Sequence, residues 1–106
     1  MKNIFNQTER ETIKFWVNDF GTFLSNGGMC GVLSNARTRR DIVLCTQIAN
    51  NINDDSFALD DEMLDLMRGI FEIHIEEVED NLHTVADKEQ TLATMNEIVR
   101  IINNYM

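Results

Sequence analysis

The longest regular pattern in this sequence is a set of apolar residues, three or four positions apart, that runs from Leu64 to Leu82. Successive residues of an α-helix are rotated by roughly 100°, so this spacing puts the whole set on one side of a helix. We call this set the main seam: Leu64, Met67, Phe71, Ile75, Val78 and Leu82. It predicts a helix over about residues 60–83, against which the rest of the chain must pack.

A second apolar set lies on a separate face of the same predicted helix and stops about halfway along it. We call it the half-length seam: Leu59, Met63, Leu66, Ile70 and Ile73. Apolar surface of this extent is normally covered, either by other helices of the chain or by a second copy. The second alternative predicts a two-fold homodimer contact through Leu66, Ile70 and Ile73.

Three further stretches carry apolar residues at helical spacing, over about residues 9–25, 39–51 and 88–104. The chain has no proline, and three of its five glycines lie between residues 27 and 31, which favours long helices over strands. The sequence therefore predicts an all-α fold, a small four-helix bundle-like single domain spanning residues 1–106. Each of the three additional helices has one apolar face, so together they are able to cover both seams. We expect a break around residues 83–87, without which the last two helices would fuse.

Helix starts are predicted from polar cap residues, and the prediction is stronger where an acid follows the cap three positions on. Thr8 is preferred over Asn6 as the cap of the first helix, and Asp60 is expected to cap the long helix. Thr38 is the expected cap of the second helix, with an earlier start at Asn35 left open.

The formal net charge of −9 is concentrated in the second half of the chain. Residues 1–53 hold six basic and four acidic side chains, whereas residues 54–106 hold three basic and 14 acidic ones. Such a field repels nucleic acids and anionic membrane surfaces and attracts basic proteins. No apolar run approaches the length of a membrane span. We therefore expect a protein partner with a basic surface, and neither nucleic acid nor a membrane.

A third face of the long predicted helix is acidic along its whole length: Asp61, Glu62, Asp65, Glu72, Glu76, Glu79 and Asp80. These carboxylates lie away from the main seam and are expected to point to water. The residues predicted to contact a partner are Asp65, Glu72, Glu76, Glu79 and Asp80. The alternative is that this face only keeps the protein soluble.

Motifs for catalysis or metal binding are weak. Helical bundles that hold two metals repeat a Glu-x-x-His motif on two helices, whereas here only Asp80 and His83 have this spacing. His74 lies between the two seams, and we expect it to be partly buried and bonded to a neighbouring side chain. No sequence motif of a catalytic cysteine surrounds Cys30, so a single cysteine here does not predict a nucleophile. The sequence predicts no enzyme activity, no metal and no cofactor.

The basic cluster Arg37, Arg39 and Arg40 lies near the start of the second helix. No second basic or aromatic element supports it as a phosphate-binding surface in a chain of net charge −9. Pairing with the acidic face, within the chain or across a dimer, is the alternative. Weak nucleic-acid contact through these arginines is therefore only a third-ranked function.

Two cysteines do not make a disulfide framework, and the first ten residues lack the apolar segment of a secretory signal. We expect a cytoplasmic protein, of the producing or of a host cell. The small, acidic, all-helical design with many Asn and Ile residues resembles accessory proteins of viruses that infect bacteria, including inhibitors of host enzymes. This resemblance concerns composition and implies an inhibitor.

The function predicted from these observations is a non-enzymatic interaction module whose acidic helical face binds a basic surface on a partner protein. Such a module would act as an inhibitor or as a nucleic-acid mimic, with carboxylates standing where phosphates would bind. The alternative is a self-associating structural or regulatory helical dimer.

Overall fold

The computed structural model describes residues 3–26, 36–80 and 88–105, and over these residues the chain forms four α-helices and no strand. They are α1 (Gln7–Ser25), α2 (Ala36–Asn51), α3 (Asp61–Asp80) and α4 (Lys88–Tyr105). The predicted all-α, bundle-like fold is confirmed, and each helix end lies within three residues of its predicted position. The break predicted at residues 83–87 lies outside the described residues.

Helix α1 begins at a reciprocal capping box centred on Asn6, not on Thr8 as predicted. The Asn6 side chain accepts a hydrogen bond from the Glu9 backbone N–H at 2.9 Å. The Glu9 carboxylate accepts one from the Asn6 N–H, also at 2.9 Å. Both candidate caps have an acid three positions on, so the local motif alone does not choose between them. Asn6 is favoured because starting there buries the preceding residue, Phe5, which is 3% exposed.

The start of α2 is the second correction. The helix begins at Ala36, so Thr38 lies inside its first turn and is not the cap that its sequence predicted. This start is closer to the alternative at Asn35, which lies outside the described residues. The cap of α3 is as predicted, because Asp60 Oδ1 accepts a hydrogen bond from the Met63 backbone N–H at 2.8 Å.

The core forms where all four helices contribute their apolar faces. Helix α1 packs against α2 and α3 packs against α4, while α1 also contacts α3 and α4. The main seam lies at the centre, with Phe71 and Met67 fully buried and Leu64 and Val78 at most 2% exposed. The residues that surround it from the other helices are Ile13, Val17, Leu44, Ile48, Ile52, Met95, Ile98 and Ile102. The main seam is thus a core element wherever it is described.

Most of the half-length seam is also buried within the chain. Leu59, Met63 and Ile70 are 7%, 8% and 1% exposed, respectively. Ile70 therefore does not lie on a surface, and its assignment to a self-association contact is wrong for the folded chain. Leu66 is partly buried against the core, and Ile73 is 49% exposed. Helix α1 contacts α3, and its Trp16 and Phe20 pack on His74 beside this seam.

The segment before α1 is tied to the connection between α2 and α3. The Arg10 side chain, only 11% exposed, donates from Nε to the Phe5 carbonyl at 2.8 Å and pairs with Asp55 at 2.5 Å. The Asn3 side chain donates to the Ile52 carbonyl at 2.7 Å. These bonds satisfy carbonyl groups that would otherwise lack partners, and they fix α1 relative to the start of α3.

Two glycines inside helices provide a test of how closely α1 and α2 pack. A Cβ atom added to Gly21 would lie 3.1 Å from the Cys45 Cβ, whereas one added to Gly69 would meet nothing within 4 Å. We expect Gly21→Val to lower the free energy of unfolding by about 1–3 kcal/mol through overpacking. Urea unfolding followed by circular dichroism measures this change.

The matched control is Gly69→Val, which makes the same chemical change on the exposed side of α3. Glycine and valine differ in helix propensity by less than about 0.5 kcal/mol, so this variant should unfold close to the wild-type midpoint. Equal stability of the two variants would contradict the close approach of α1 and α2 at Cys45.

Candidate functional site

The predicted acidic face lies on the solvent side of α3. Glu72, Glu76 and Glu79 are exposed, and so is Asp65. Asp80 is the last residue of α3, but its side chain is outside what the structure describes. The face is therefore confirmed as a surface at four of its five predicted contact residues, although exposure alone does not assign it a partner.

Part of this acidic face is neutralised within the chain. Arg40 pairs with Glu62 through two hydrogen bonds, of 2.7 and 3.3 Å, and this contact raises the pKa of the arginine. Arg68 pairs with Asp65 at 2.5 Å. The first half of the face is thus partly compensated, and one member of the predicted basic cluster has an internal partner.

The second half of the face keeps uncompensated charge. Among the residues that the structure describes, Glu72 and Glu76 form no ion pair with any cation. They lie one helical turn apart, so their carboxylates repel each other and hold a local negative potential. Arg39 is exposed near the start of α2, and the side chain of Arg37 is outside the described part. A basic surface of another molecule would neutralise this pair of glutamates.

His74 lies where α1 meets α3. It is 7% exposed, and its Nδ1 lies 3.2 Å from the Glu77 Oε2, which is the contact with a neighbouring side chain that the sequence predicted. Its ring centroid lies 4.6 Å from that of Trp16 and 6.4 Å from that of Phe20. No described residue hydrogen-bonds to its Nε2. The imidazole is therefore held mainly by aromatic contacts from α1.

An apolar cleft adjoins His74 at the border of the acidic face. We call it the α1–α3 cleft; it has a volume of about 210 Å³ and is lined by Asp19, Phe20, Phe23, Ile73, His74 and Glu77. Phe23 is 45% exposed and Ile73 is 49% exposed. Two large apolar side chains thus face water beside carboxylates.

Phe23 is a surface residue that helical spacing did not single out, because it shares the spacing of the other apolar residues of α1. The helical spacing does show that Phe23 lies at one edge of a wide apolar arc, whereas Ile13 and Val17, which are fully buried, lie towards the other edge. The edges of an apolar arc wider than the core contact are exposed. Which edge of the arc is exposed depends on where α3 packs against α1.

The described residues offer little for nucleophilic or metal chemistry. Burial, with a further contribution from the charge of Asp41, raises the pKa of the Cys45 thiol to about 12. Cys30 and His83 lie outside the described residues. In the described part of the chain, no group of three potential ligands is placed to hold a metal ion.

None of the helices, over the residues described, is both long and apolar enough to cross a membrane. Comparisons with protein families, with curated proteins and with solved structures find no match to this chain.

Cys45 should behave as a buried packing residue in a thiol-labelling experiment. At pH 8 a thiol of pKa about 12 carries roughly a thousandfold less thiolate than one at the ordinary value of 9.0. In a Cys30→Ser background, we expect a disulfide reagent to leave the native protein unlabelled and to label one thiol in denaturant. Rapid labelling of the native protein would contradict the burial of Cys45.

Proposed function

We propose that this protein is a non-enzymatic interaction module that binds a basic surface of another protein through the exposed acidic face of α3. The observation that carries this proposal is the pair Glu72 and Glu76, which is exposed, one turn apart and without an ion pair among the described residues. The finer form of the proposal is an inhibitor that occupies a nucleic-acid site with carboxylates in place of phosphates.

The distribution of charge supports the proposal. A chain of 106 residues with a net charge of −9 attracts basic partners at long range and speeds their encounter. Residues that fold the chain and residues that form the acidic face are largely separate, since the core consists of apolar side chains. The face is therefore able to meet a partner without any loss of core packing.

Self-association is the second candidate, and the exposed Ile73 with the partly buried Leu66 is the observation in its favour. The surrounding charges oppose it. Glu76 and Glu77 flank Ile73 on the exposed side of α3, so a two-fold contact there would bring carboxylates of two copies together. A basic partner would place cations, not a second set of carboxylates, opposite Glu76 and Glu77, so no such repulsion would arise. Contact of nucleic acid with Arg37, Arg39 and Arg40 ranks third, because Arg40 is already paired with Glu62.

The proposal predicts that reversing two charges abolishes partner capture while the fold survives. We expect Glu72→Lys with Glu76→Lys to lose the proteins that immobilised wild type captures from a host lysate and that mass spectrometry identifies. Those proteins should be basic, and their capture should weaken when the salt is raised to about 0.5 M, since screening shortens the range of the attraction.

The matched control reverses two carboxylates at the surface of α4, Glu89→Lys with Glu97→Lys; the Glu97 side chain is 41% exposed and its surface pair with Arg100 is weak. This control has the same net charge as the face variant, so any difference between them reports the position of the charge. Circular dichroism should give both variants the wild-type helix content. Equal capture by the two variants would refute the proposal, and a wild type that light scattering identifies as a dimer would favour self-association.

A further inference from the structure

Exposed apolar side chains are concentrated around the α1–α3 cleft. Among the described residues, three of the five large apolar side chains with high exposure are Phe15 at 61%, Phe23 at 45% and Ile73 at 49%. Asp19 lies between the two phenylalanines along α1 and lines both the cleft and a shallow depression beside Phe15. The exposed apolar side chains of α1 and α3 thus lie on one side of the molecule, beside a concave site.

The size of the cleft limits what it can hold. Sites for small molecules and cofactors usually have volumes of about 300–1,000 Å³. The α1–α3 cleft measures about 210 Å³ and is open to solvent along one side. It matches a single large side chain, the kind of anchor that contributes most of the affinity at protein interfaces.

The base of the cleft is already held in place by the fold. His74 is 7% exposed and packs on Trp16 and Phe20, which are partly buried against the core. An anchor that enters the cleft therefore meets aromatic and apolar surface that needs little rearrangement. Preorganisation of this kind lowers the entropic cost of binding.

The charges at the rim of the cleft favour one sign of charge on the partner. Asp19 and Glu77 line the cleft and Glu76 is exposed next to it, whereas no lysine or arginine is among the lining residues and the His74 imidazole there already contacts Glu77. A neutral apolar ligand would leave these carboxylates unchanged. A ligand with cationic groups on both sides of an apolar anchor would pair with them, so charge complementarity favours a basic and amphipathic occupant.

The shape of the surface favours a helix as that occupant. Phe15, Asp19 and Phe23 lie four residues apart and form a straight ridge, roughly 12 Å long, along α1. Peptide helices that bind in grooves present anchors at i, i+3 or i+4, and i+7, which cover about the same distance. The ridge and the cleft together match one face of such a helix.

We propose that the α1–α3 cleft takes the apolar anchor of a basic amphipathic helix in the partner protein. This proposal rests on the proposed function and specifies the partner's docking element. In the complex, a leucine or an aromatic side chain lies between Phe20, Phe23 and Ile73. Lysines or arginines on either side of it pair with Asp19, Glu76 and Glu77.

Two synthetic helical peptides of about 18 residues test it, since shorter helices are marginal in water. The first carries lysines on one face and leucines at i, i+4 and i+7 on the other, and the second has the same lysines with alanines in place of the leucines. The fluorescence anisotropy of labelled peptides gives the two dissociation constants. We expect wild type to bind the leucine peptide at least about tenfold more tightly than the alanine peptide, as the loss of a central anchor requires.

Three protein variants locate the contact. Phe23→Ser and Ile73→Ser should each remove most of the preference for the leucine peptide, because each deletes one wall of the cleft. Val43→Ser is the matched control, since Val43 is an equally exposed aliphatic residue on α2, at 46%. It should bind both peptides as wild type does.

The variant Glu72→Lys with Glu76→Lys separates this proposal from the proposed function. The cleft proposal is wrong if wild type binds the two peptides with equal affinity and this variant loses affinity for both to the same extent, because the acidic face then binds cations alone. The proposed function fails if the variant binds both peptides as tightly as wild type does. A wild-type dimer that Ile73→Ser converts to a monomer would assign the cleft to a second copy and overturn the proposal.

A measurement on the unmodified protein covers the case in which a serine variant unfolds. In nuclear magnetic resonance spectra of labelled wild type, the leucine peptide should shift the amide signals of Asp19, Phe23, Ile73 and Glu77. The signal of Val43 should not move. Shifts confined to other parts of the surface would contradict the proposal regardless of how the variants behave.

Discussion

The burial of α3 between the other helices is the constraint on which the rest of this structure depends. Phe71 and Met67 are completely buried and Leu64 is 1% exposed, and each such side chain contributes about 1.5–3 kcal/mol on removal from water. That is a large share of the 5–15 kcal/mol by which a typical domain is stable. Because this seam must lie inward, the opposite side of α3 must lie outward. The exposure of the acidic face follows directly from the packing of the apolar one.

The division of α3 into two sides explains which features the sequence predicted well. Helical periodicity depends only on the 3.6-residue turn, so it located all four helices and placed Glu72 and Glu76 on the surface. It also indicated that three other apolar faces were available to cover the half-length seam. The burial of Ile70 at 1% exposure shows that at this position the chain itself supplies the cover.

Other features depended on which elements meet in space, and periodicity does not contain that information. Asn6 and Thr8 have equivalent capping sequences, and the choice between them depends on the burial of Phe5. Phe23 belongs to the apolar arc of α1, but its exposure depends on the position of α3 relative to that arc. The α1–α3 cleft was therefore not predictable from either helix alone, because its lining residues come from two helices whose relative position periodicity does not give.

The ion pairs divide the acidic face into two halves that differ in how much of their charge is paired within the chain. Towards the start of α3, Glu62 is held by Arg40 and Asp65 by Arg68, so a partner would have to displace an internal cation to use these carboxylates. Such exposed pairs are individually weak, about 0–1 kcal/mol, yet they lower the local potential. Towards its end, Glu72 and Glu76 have no described cation. Unpaired carboxylates of the acidic face therefore lie in the half of α3 that contains the cleft.

The aromatic contacts of His74 connect the core to this surface. Trp16 and Phe20 pack against the core on one side and hold the imidazole on the other, and Phe20 and His74 also line the cleft. The side chains that position α1 on α3 thus also form the base of the candidate site. Exposed apolar groups such as Phe23 and Ile73 gain nothing from folding where they face water. The proposed apolar anchor would remove them from water, and the adjacent carboxylates would favour a partner of positive charge.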